Sequence, residues 1–377
     1  MTANRLIMTL GTSVLSNINA LARKEPRTDL EERLLSALKA EEFSEVGKAL
    51  FELDPNERLC GAEINSFHLI REKGLVGNLA WVHLCRSHTP EGAHVSEILK
   101  AYFERRFAGE GMQIRDEQID GLQDQRPHEF KTKGLRNLVR KIGEIVRTAG
   151  GPSFVAIDAT GGYKAQIAVA VMIGQALGLS VFYKHEKFDN EVIEFPAMPI
   201  AFDFALIARY GDILESLDGT NTVECPHDEM PDEVQMLLDE VEDGSNSVWA
   251  LAPVGAIYLE SAKQWFKQRV QALDAASTDE RAKPSLPQHH YPSGFESFVG
   301  QVWTDNEFVK RCQAMNYAGQ RSIRRRFYVD TQDESRIIGE FKDSAGFKAR
   351  FAILTTARDL GQRALAAELL NKRYYPS

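Results

Sequence analysis

The feature that most constrains this chain is an alternation. Over residues 1–200, short apolar runs trade places with longer amphipathic stretches. RLIMTL, NLAWVHLC, SFVAIDA and LSVFYKH read as strands. Residues 28–50, VSEILKAYFERR, FKTKGLRNLVRKIGEIVRTAG and AQIAVAVMIGQALG read as helices, the third stopped by a glycine pair. Such alternation predicts an open α/β domain, Rossmann-like, with a mostly parallel sheet. In these sheets ligands sit beyond the carboxyl ends of the strands, beside a topological switch point.

The remainder divides by charge. From Asp212 to Glu260 there are thirteen acidic residues and no Lys or Arg, whereas Lys310 to the end carries +7 within a chain whose net charge is −9. The stretch DAASTDERAKPSLPQHHYPS, with three prolines and no apolar period, reads as a linker. Three parts are expected: residues 1–205, an acidic helical connecting segment over 206–291, and a small α+β domain over 292–377. In the segment PHDEMPDEVQMLLDEVEDGSNS, Val234, Leu237, Leu238 and Val241 have helical spacing. In the last part, GQVWT reads as a strand, NEFVKRCQAM as a helix, RIIGEFK and FKARFAILTT as strands about a DSAG turn, and DLGQRALAAELL as a final helix.

Several classes are disfavoured. No run of 18 apolar residues exists, so no membrane span or membrane partner is expected, and the apolar opening reads as a buried strand. Cys60, Cys85, Cys225 and Cys312 are scattered without a CxxC pair, which fits a reducing, cytoplasmic setting and argues against a zinc site. Neither G-x-G-x-x-G nor G-x-x-x-x-G-K-[ST] occurs, so dinucleotide and ordinary ATP binding are disfavoured.

Two loops stand out at strand ends: Gly11-Thr12-Ser13, and Thr160-Gly161-Gly162-Tyr163-Lys164 leading into a helix. Glycines let a backbone approach a ligand, and amides at a helix start favour phosphate. Lys164 adds a cation; Thr12, Ser13 and Thr160 add hydroxyls. The segments LIMTLGTSVLSN, VHLCRSHTPEGAHVSEILKAYFERR and IDATGGYKAQIAVAVMIGQALGLSVFYKHEKF resemble CRISPR-associated Rossmann-fold (CARF) domains, over about residues 1–205. The resemblance implies a homodimer that binds a cyclic oligoadenylate, most often the tetramer, made by a type III CRISPR complex. It implies a pocket lined by Gly11, Thr12, Ser13, Thr160, Gly161, Gly162, Tyr163 and Lys164, with Ser87 and Thr89 as weaker candidates. Some relatives also cleave their ligand through its own 2′-OH.

A sensor of this kind implies an output elsewhere. On one strand, Lys348 and Arg350 share a face; Lys342 precedes the turn and Arg358 follows the next apolar run. Histidine is absent after His290, so Ser-His-Asp chemistry is not suggested. Lysines, arginines and carboxylates suffice for metal-free RNA cleavage by the adjacent 2′-OH. The segment FKDSAGFKARF, with Arg358 downstream, is similar to the RelE family of ribosome-dependent mRNA interferases. That similarity implies mRNA cutting in the ribosomal A site with Lys342, Lys348, Arg350 and Arg358 as catalytic cations, and with Glu340 as a candidate base. Ile338 and Glu340 stand where the family has paired lysines, and the family's late tyrosine has no clear counterpart, Tyr374 and Tyr375 lying near the extreme end. No cofactor is expected beyond the activating ring.

Three other outputs are open to a chain of this kind. No histidine has an Arg five to seven positions before it, so a HEPN ribonuclease is disfavoured. Glu340-Phe341-Lys342 with Asp330 or Asp333 satisfies a loose PD-(D/E)xK pattern, which implies a Mg²⁺-dependent nuclease. A DNA-binding regulator would use Arg321–Arg326. The acidic segment 212–262, including Asp228, Glu229, Asp232, Glu233, Asp239 and Glu240, is open to docking a basic ribosomal protein or to covering the basic face.

Overall fold

A computed structural model describes residues 3–185, 187–188, 191–198, 205–218, 230–243, 246–269, 272–287, 290–315 and 326–375. It divides into two compact units, Met1–Ile200 and Ala201–Ser377. Arg321, Arg324, Arg325, Cys225, Asp228 and Glu229 lie outside the described residues.

The first unit holds six strands: β1 (Arg5–Thr9), β2 (Trp81–Ser87), β3 (Gln113–Ile119), β4 (Val155–Asp158), β5 (Ser180–Tyr183) and β6 (Ile193–Phe195). Their order is β3-β2-β1-β4-β5-β6, parallel throughout except for β6. This is the Rossmann-like sheet that the alternation predicts. Its helices are α1 (Ser13–Ala20), α2 (Asp29–Lys39), α3 (Phe43–Leu50), α4 (Gly61–Glu72), α5 (Pro90–Arg106), α6 (Leu135–Ala149) and α7 (Lys164–Leu177). Thr89 starts α5 by accepting from Gly92 N–H at 3.1 Å, and Gly150, at φ +93°, stops α6. Leu6, Met8, Val82 and Leu84 point into a core with Val14, Ile18, Phe67, Tyr102 and Phe103. On the other face, Gly174 of α7 lets the helix backbone close on Val181 and Ile157, since a Cβ there would meet Val181 Cγ2 at 2.3 Å.

The second unit contains α8 (Ala205–Asp218), a hairpin of β7 (Leu238–Asp243) and β8 (Asn246–Leu251), then α9 (Pro253–Arg269) and α10 (Phe295–Asp305). A four-stranded antiparallel sheet follows, formed by β9 (Val309–Ala314), β10 (Phe327–Val329), β11 (Ile337–Lys342) and β12 (Lys348–Thr355), with α11 (Leu360–Tyr374) last. The strand order is β10-β11-β12-β9. One face buries Phe327 and Phe351 against Phe295, Phe298 and Tyr374. Gly339 sits between them on β11, where a Cβ would approach the Phe351 ring to 2.5 Å.

Three local expectations are corrected here. GQVWT belongs to helix α10, whose buried Phe295, Val299 and Val302 recur at helical spacing. NEFVKRCQAM holds strand β9, not a helix. The ladder shifts register at Leu354/Thr355, and this bulge places Val309 on the same face as Cys312, three residues on, which mimics a helical period. Over 234–241 only Asp232–Gln235 is helical; Leu238 onward pairs with β8, Val241 opposite Val248. Within the acidic stretch not every carboxylate faces solvent. Asp212 and Glu260 are buried, and Asp212 accepts from Arg326 N–H at 3.1 Å.

Candidate ligand site and candidate nuclease face

β1 and β4 are the strands on either side of the point where the strand order reverses, and each is followed by one of the glycine loops. Glu63 of α4 lies beneath them, 1% exposed. Its carboxylate accepts from Gly11 N–H at 2.7 Å and from the Ser13 hydroxyl at 2.9 Å. Ser13 Oγ in turn accepts from Ala62 N–H at 2.8 Å. One turn along α4, the Ser66 hydroxyl donates to Asp158 Oδ2 at 2.5 Å, while Asp158 Oδ1 accepts from the Thr160 hydroxyl at 2.6 Å. Thr160 Oγ1 also accepts from Lys184 N–H at 3.0 Å, and Thr9 Oγ1 donates to Gly161 O at 2.5 Å. Burial pushes the Asp158 carboxyl up to about 6, against the hydrogen bonds from Ser66 and Thr160.

The expected residues therefore separate. Gly11 and Ser13 are committed to Glu63 and Ala62 of α4, Thr160 to Asp158 and Lys184, and the Gly161 carbonyl to Thr9. Gly162, at φ +107°, folds over Gln166, whose side chain accepts from Tyr163 N–H at 3.2 Å and donates to Cys85 O at 3.4 Å. Thr12 and Lys164 are exposed. Thr12 and Tyr163 open onto a cleft of about 510 Å³ that Thr89, Glu91, Asp124 and Gln125 complete. Burial and then the charges of Asp124 and Glu91 raise the Tyr163 phenol above its ordinary range. Ser87 and Thr89 hydroxyls share a hydrogen bond of 2.9 Å. Sequence reasoning missed Glu63 and Ser66. The available signal was polarity on a buried stripe, since both sit beside buried Ile64, Phe67 and Ile70 on one helix.

In the second unit, register brings four of the five expected cations and carboxylates to one sheet face. Glu340 pairs with Arg350 and Lys342 with Lys348. Glu340 is 7% exposed at its side chain, and its Oε1 lies 2.7 Å from Arg350 Nη2. The Tyr328 hydroxyl donates to the same oxygen at 3.1 Å, and Tyr375 donates to Glu340 O at 2.8 Å. Tyr328 was not anticipated; β10 spans only Phe327–Val329, too short for an alternation to show. Lys342 directly opposite Lys348 is a like-charge pair, which an anion between them would relieve.

Arg358 is not brought to this group. It follows the far end of β12, roughly 16 Å beyond Arg350 by strand rise alone. There it is 75% exposed and meets Asp274 at 2.7 Å. Asp330 and Asp333 lie past the opposite end of β10 from the Glu340 rung and pair with Arg336 at 2.7 and 3.6 Å, so neither converges with Glu340 as the PD-(D/E)xK pattern needs. Among the described residues, no group of three or more His, Cys, Asp or Glu is placed to hold a metal ion, and no helix is long and apolar enough to cross a membrane.

Comparison with known proteins bears on the first unit. Residues 58–198 match the model of a family described as CRISPR-associated protein (Cas_APE2256). That span includes β2 to β6, α5 to α7 and the Gly161–Lys164 loop. No curated protein matches the chain. Among solved structures, it is similar to Can2 from Sulfobacillus thermosulfidooxidans, determined in complex with cyclic tetra-adenylate, at 9% identity and a TM-score of 0.24. The similarity covers 71% of this chain and 64% of that one, so the chain spans less than two thirds of its length.

Proposed function

We propose that this chain is a cyclic oligoadenylate-activated, ribosome-dependent mRNA endoribonuclease of type III CRISPR defence. A homodimer of the first unit takes the ring, cyclic tetra-adenylate in the favoured form, at the cleft above the switch point. The second unit then cuts message in the cytoplasm and halts translation. The observation that carries the nuclease half is the convergence of Lys342, Lys348, Arg350 and Glu340 on one sheet face. The CRISPR-associated match over 58–198 supports the sensor half.

In this reading the ribose 2′-oxygen attacks the adjacent phosphorus, and the 5′-oxygen of the next nucleotide leaves. Lys342, Lys348 and Arg350 stabilise the charge that accumulates on the phosphoryl oxygens. Glu340 accepts the 2′ proton and a lysine ammonium protonates the leaving oxygen. The products are a 2′,3′-cyclic phosphate and a 5′-hydroxyl. The ring acts by binding one conformation of the protein better than another.

End chemistry tests this without removing the Mg²⁺ that ribosomes need. Full-length protein is mixed with translating ribosomes and each of the cyclic tri-, tetra- and hexa-adenylates, and cleaved ends are mapped. One ring should trigger cuts at A-site codons bearing 2′,3′-cyclic phosphates. Intact message with every ring, or 5′-phosphate ends of the kind a metal-activated water leaves, overturns the reading.

A further inference from the structure

The Glu63 carboxylate stands between the two glycine loops. It takes the Gly11 N–H and the Ser13 hydroxyl, and Ser13 is the first residue of α1, so the anion lies at the positive end of that helix. The space for it exists because Gly161 lacks a side chain, and the bare Gly11 leaves it uncrowded on the other side. A Cβ at Gly161 would sit 2.2 Å from Glu63 Oε1, and one at Gly11 would sit 3.3 Å from it. With Ser66 holding Asp158 from the next turn, α4 fastens both loops at once. A Cβ at Gly11 would also meet Gly162 N at 2.8 Å, so the loops touch each other across this carboxylate.

We propose that Glu63 is the positioning residue of the ligand site, a resident anion that fills the cradle between the loops so that a ligand's phosphates bind outside it, on the rim formed by Thr12, Tyr163 and Lys164. The glycines then serve an internal carboxylate, not the ligand. The inference deepens the cyclic oligoadenylate reading and rests on it for the identity of the ligand. The cradle itself does not depend on that reading.

Chemical rescue separates this role from ordinary structural support. Glu63→Ala empties the cradle; a small carboxylate such as formate refills it. Two readouts are taken on the full chain: hydrogen exchange of the peptide spanning residues 5–20, and affinity for cyclic tetra-adenylate. In Glu63→Ala, exchange at Gly11 should quicken and affinity should fall, each on the order of tenfold or more. Millimolar formate should restore both, and equal chloride should restore neither. Glu63→Gln, whose side chain still accepts from Gly11 N–H and donates to Ser13 Oγ, should fold and hold the ring at least as tightly as the parent, because a negative charge near the phosphates is gone. Formate that rescues neither readout, or Glu63→Gln binding markedly weaker than the parent, overturns the proposal. If the parent binds no ring while formate still restores protection at Gly11, the cradle stands and the cyclic oligoadenylate reading falls.

Discussion

Arg350→Ala tests whether the Glu340–Arg350 pair is a structural necessity as well as a chemical one. The pair is 2.7 Å apart, with side chains 7% and 17% exposed. Removing the guanidinium leaves a buried carboxylate with the Tyr328 hydroxyl as its remaining side-chain partner described above. An uncompensated buried charge costs about 3 kcal/mol or more, whereas replacing both members together is often nearly neutral. At 1.4 kcal/mol per factor of ten, roughly 3 kcal/mol quickens exchange at the β11 and β12 amides on the order of a hundredfold, if those amides exchange through opening of this sheet. Hydrogen exchange by mass spectrometry over 337–355 reads this directly. The double variant Glu340→Gln, Arg350→Met should recover most of the lost protection while leaving mRNA cleavage abolished. If the double variant exchanges as fast as the two single effects added together, the charge-burial argument is wrong. If it cleaves, the pair is not the chemistry.

Three further outcomes follow from the same geometry. Asp158 is held near 6 when folded against an ordinary 3.8, so the folded state binds the proton more tightly; its contribution favours folding at acid pH and is lost as pH rises through 6. Urea unfolding should show that Asp158→Asn removes about 2 kcal/mol of the stability difference between roughly pH 4.5 and 7.5. Burial, then the Glu368 charge, pushes Glu215 up to about 7, with Lys263 and Lys372 pulling the other way and Asp212 adding to the rise. Glu215→Gln should therefore raise the melting temperature most near pH 8, less near pH 5.5, and hardly at all below about pH 4, where the parent side chain is neutral both folded and unfolded; a shift of equal size at pH 8 and pH 4 refutes this. Arg358→Ala breaks only an exposed pair, worth at most about 1 kcal/mol, and should leave message cleavage within about threefold of the parent; a hundredfold loss would mean that Arg358 reaches the phosphate after all.

The first unit was legible because its signals are local. The inner parallel strands β1, β2, β4 and β5 are buried enough to read as apolar runs, and glycines mark the turns at Gly150 and Gly161-Gly162; β3, QIRDEQI at the sheet edge, is mostly exposed and carries no such run. The second unit defeated the same reading where long-range pairing decides. Val302 and Trp303 suggest a strand in isolation, yet Phe295, Val299 and Val302 bury together as one helical stripe. In β9 a bulge against Leu354/Thr355 converts a period of two into a spacing of three. In the acidic segment, the i, i+3, i+4, i+7 pattern from Val234 to Val241 spans a helical turn and then a strand, and the pairing of Val241 with Val248 depends on a partner that no local period reveals.

The sites divide in the same way. Residue type nominated both candidates, and partner choice decides which side chains in them are left open. Ser13 and Thr160 carry hydroxyls that suit a phosphate, but each already both donates and accepts inside the protein, so neither has a hydroxyl proton left to give a ligand while those bonds stand. On the candidate nuclease face the deciding quantity is register. The turn from Asp343 to Gly346 closes with Asp343 N–H donating to Phe347 O at 3.0 Å, and that closure sets Lys342 opposite Lys348 and Glu340 opposite Arg350. A slip of one residue on β12 would turn Lys348 and Arg350 onto the aromatic face, against Phe295 and Phe298, where their charges have no partner. The packing of Phe351 beside Gly339 therefore does more than fill the core: it holds Lys348 and Arg350 on the face that carries Glu340 and Lys342.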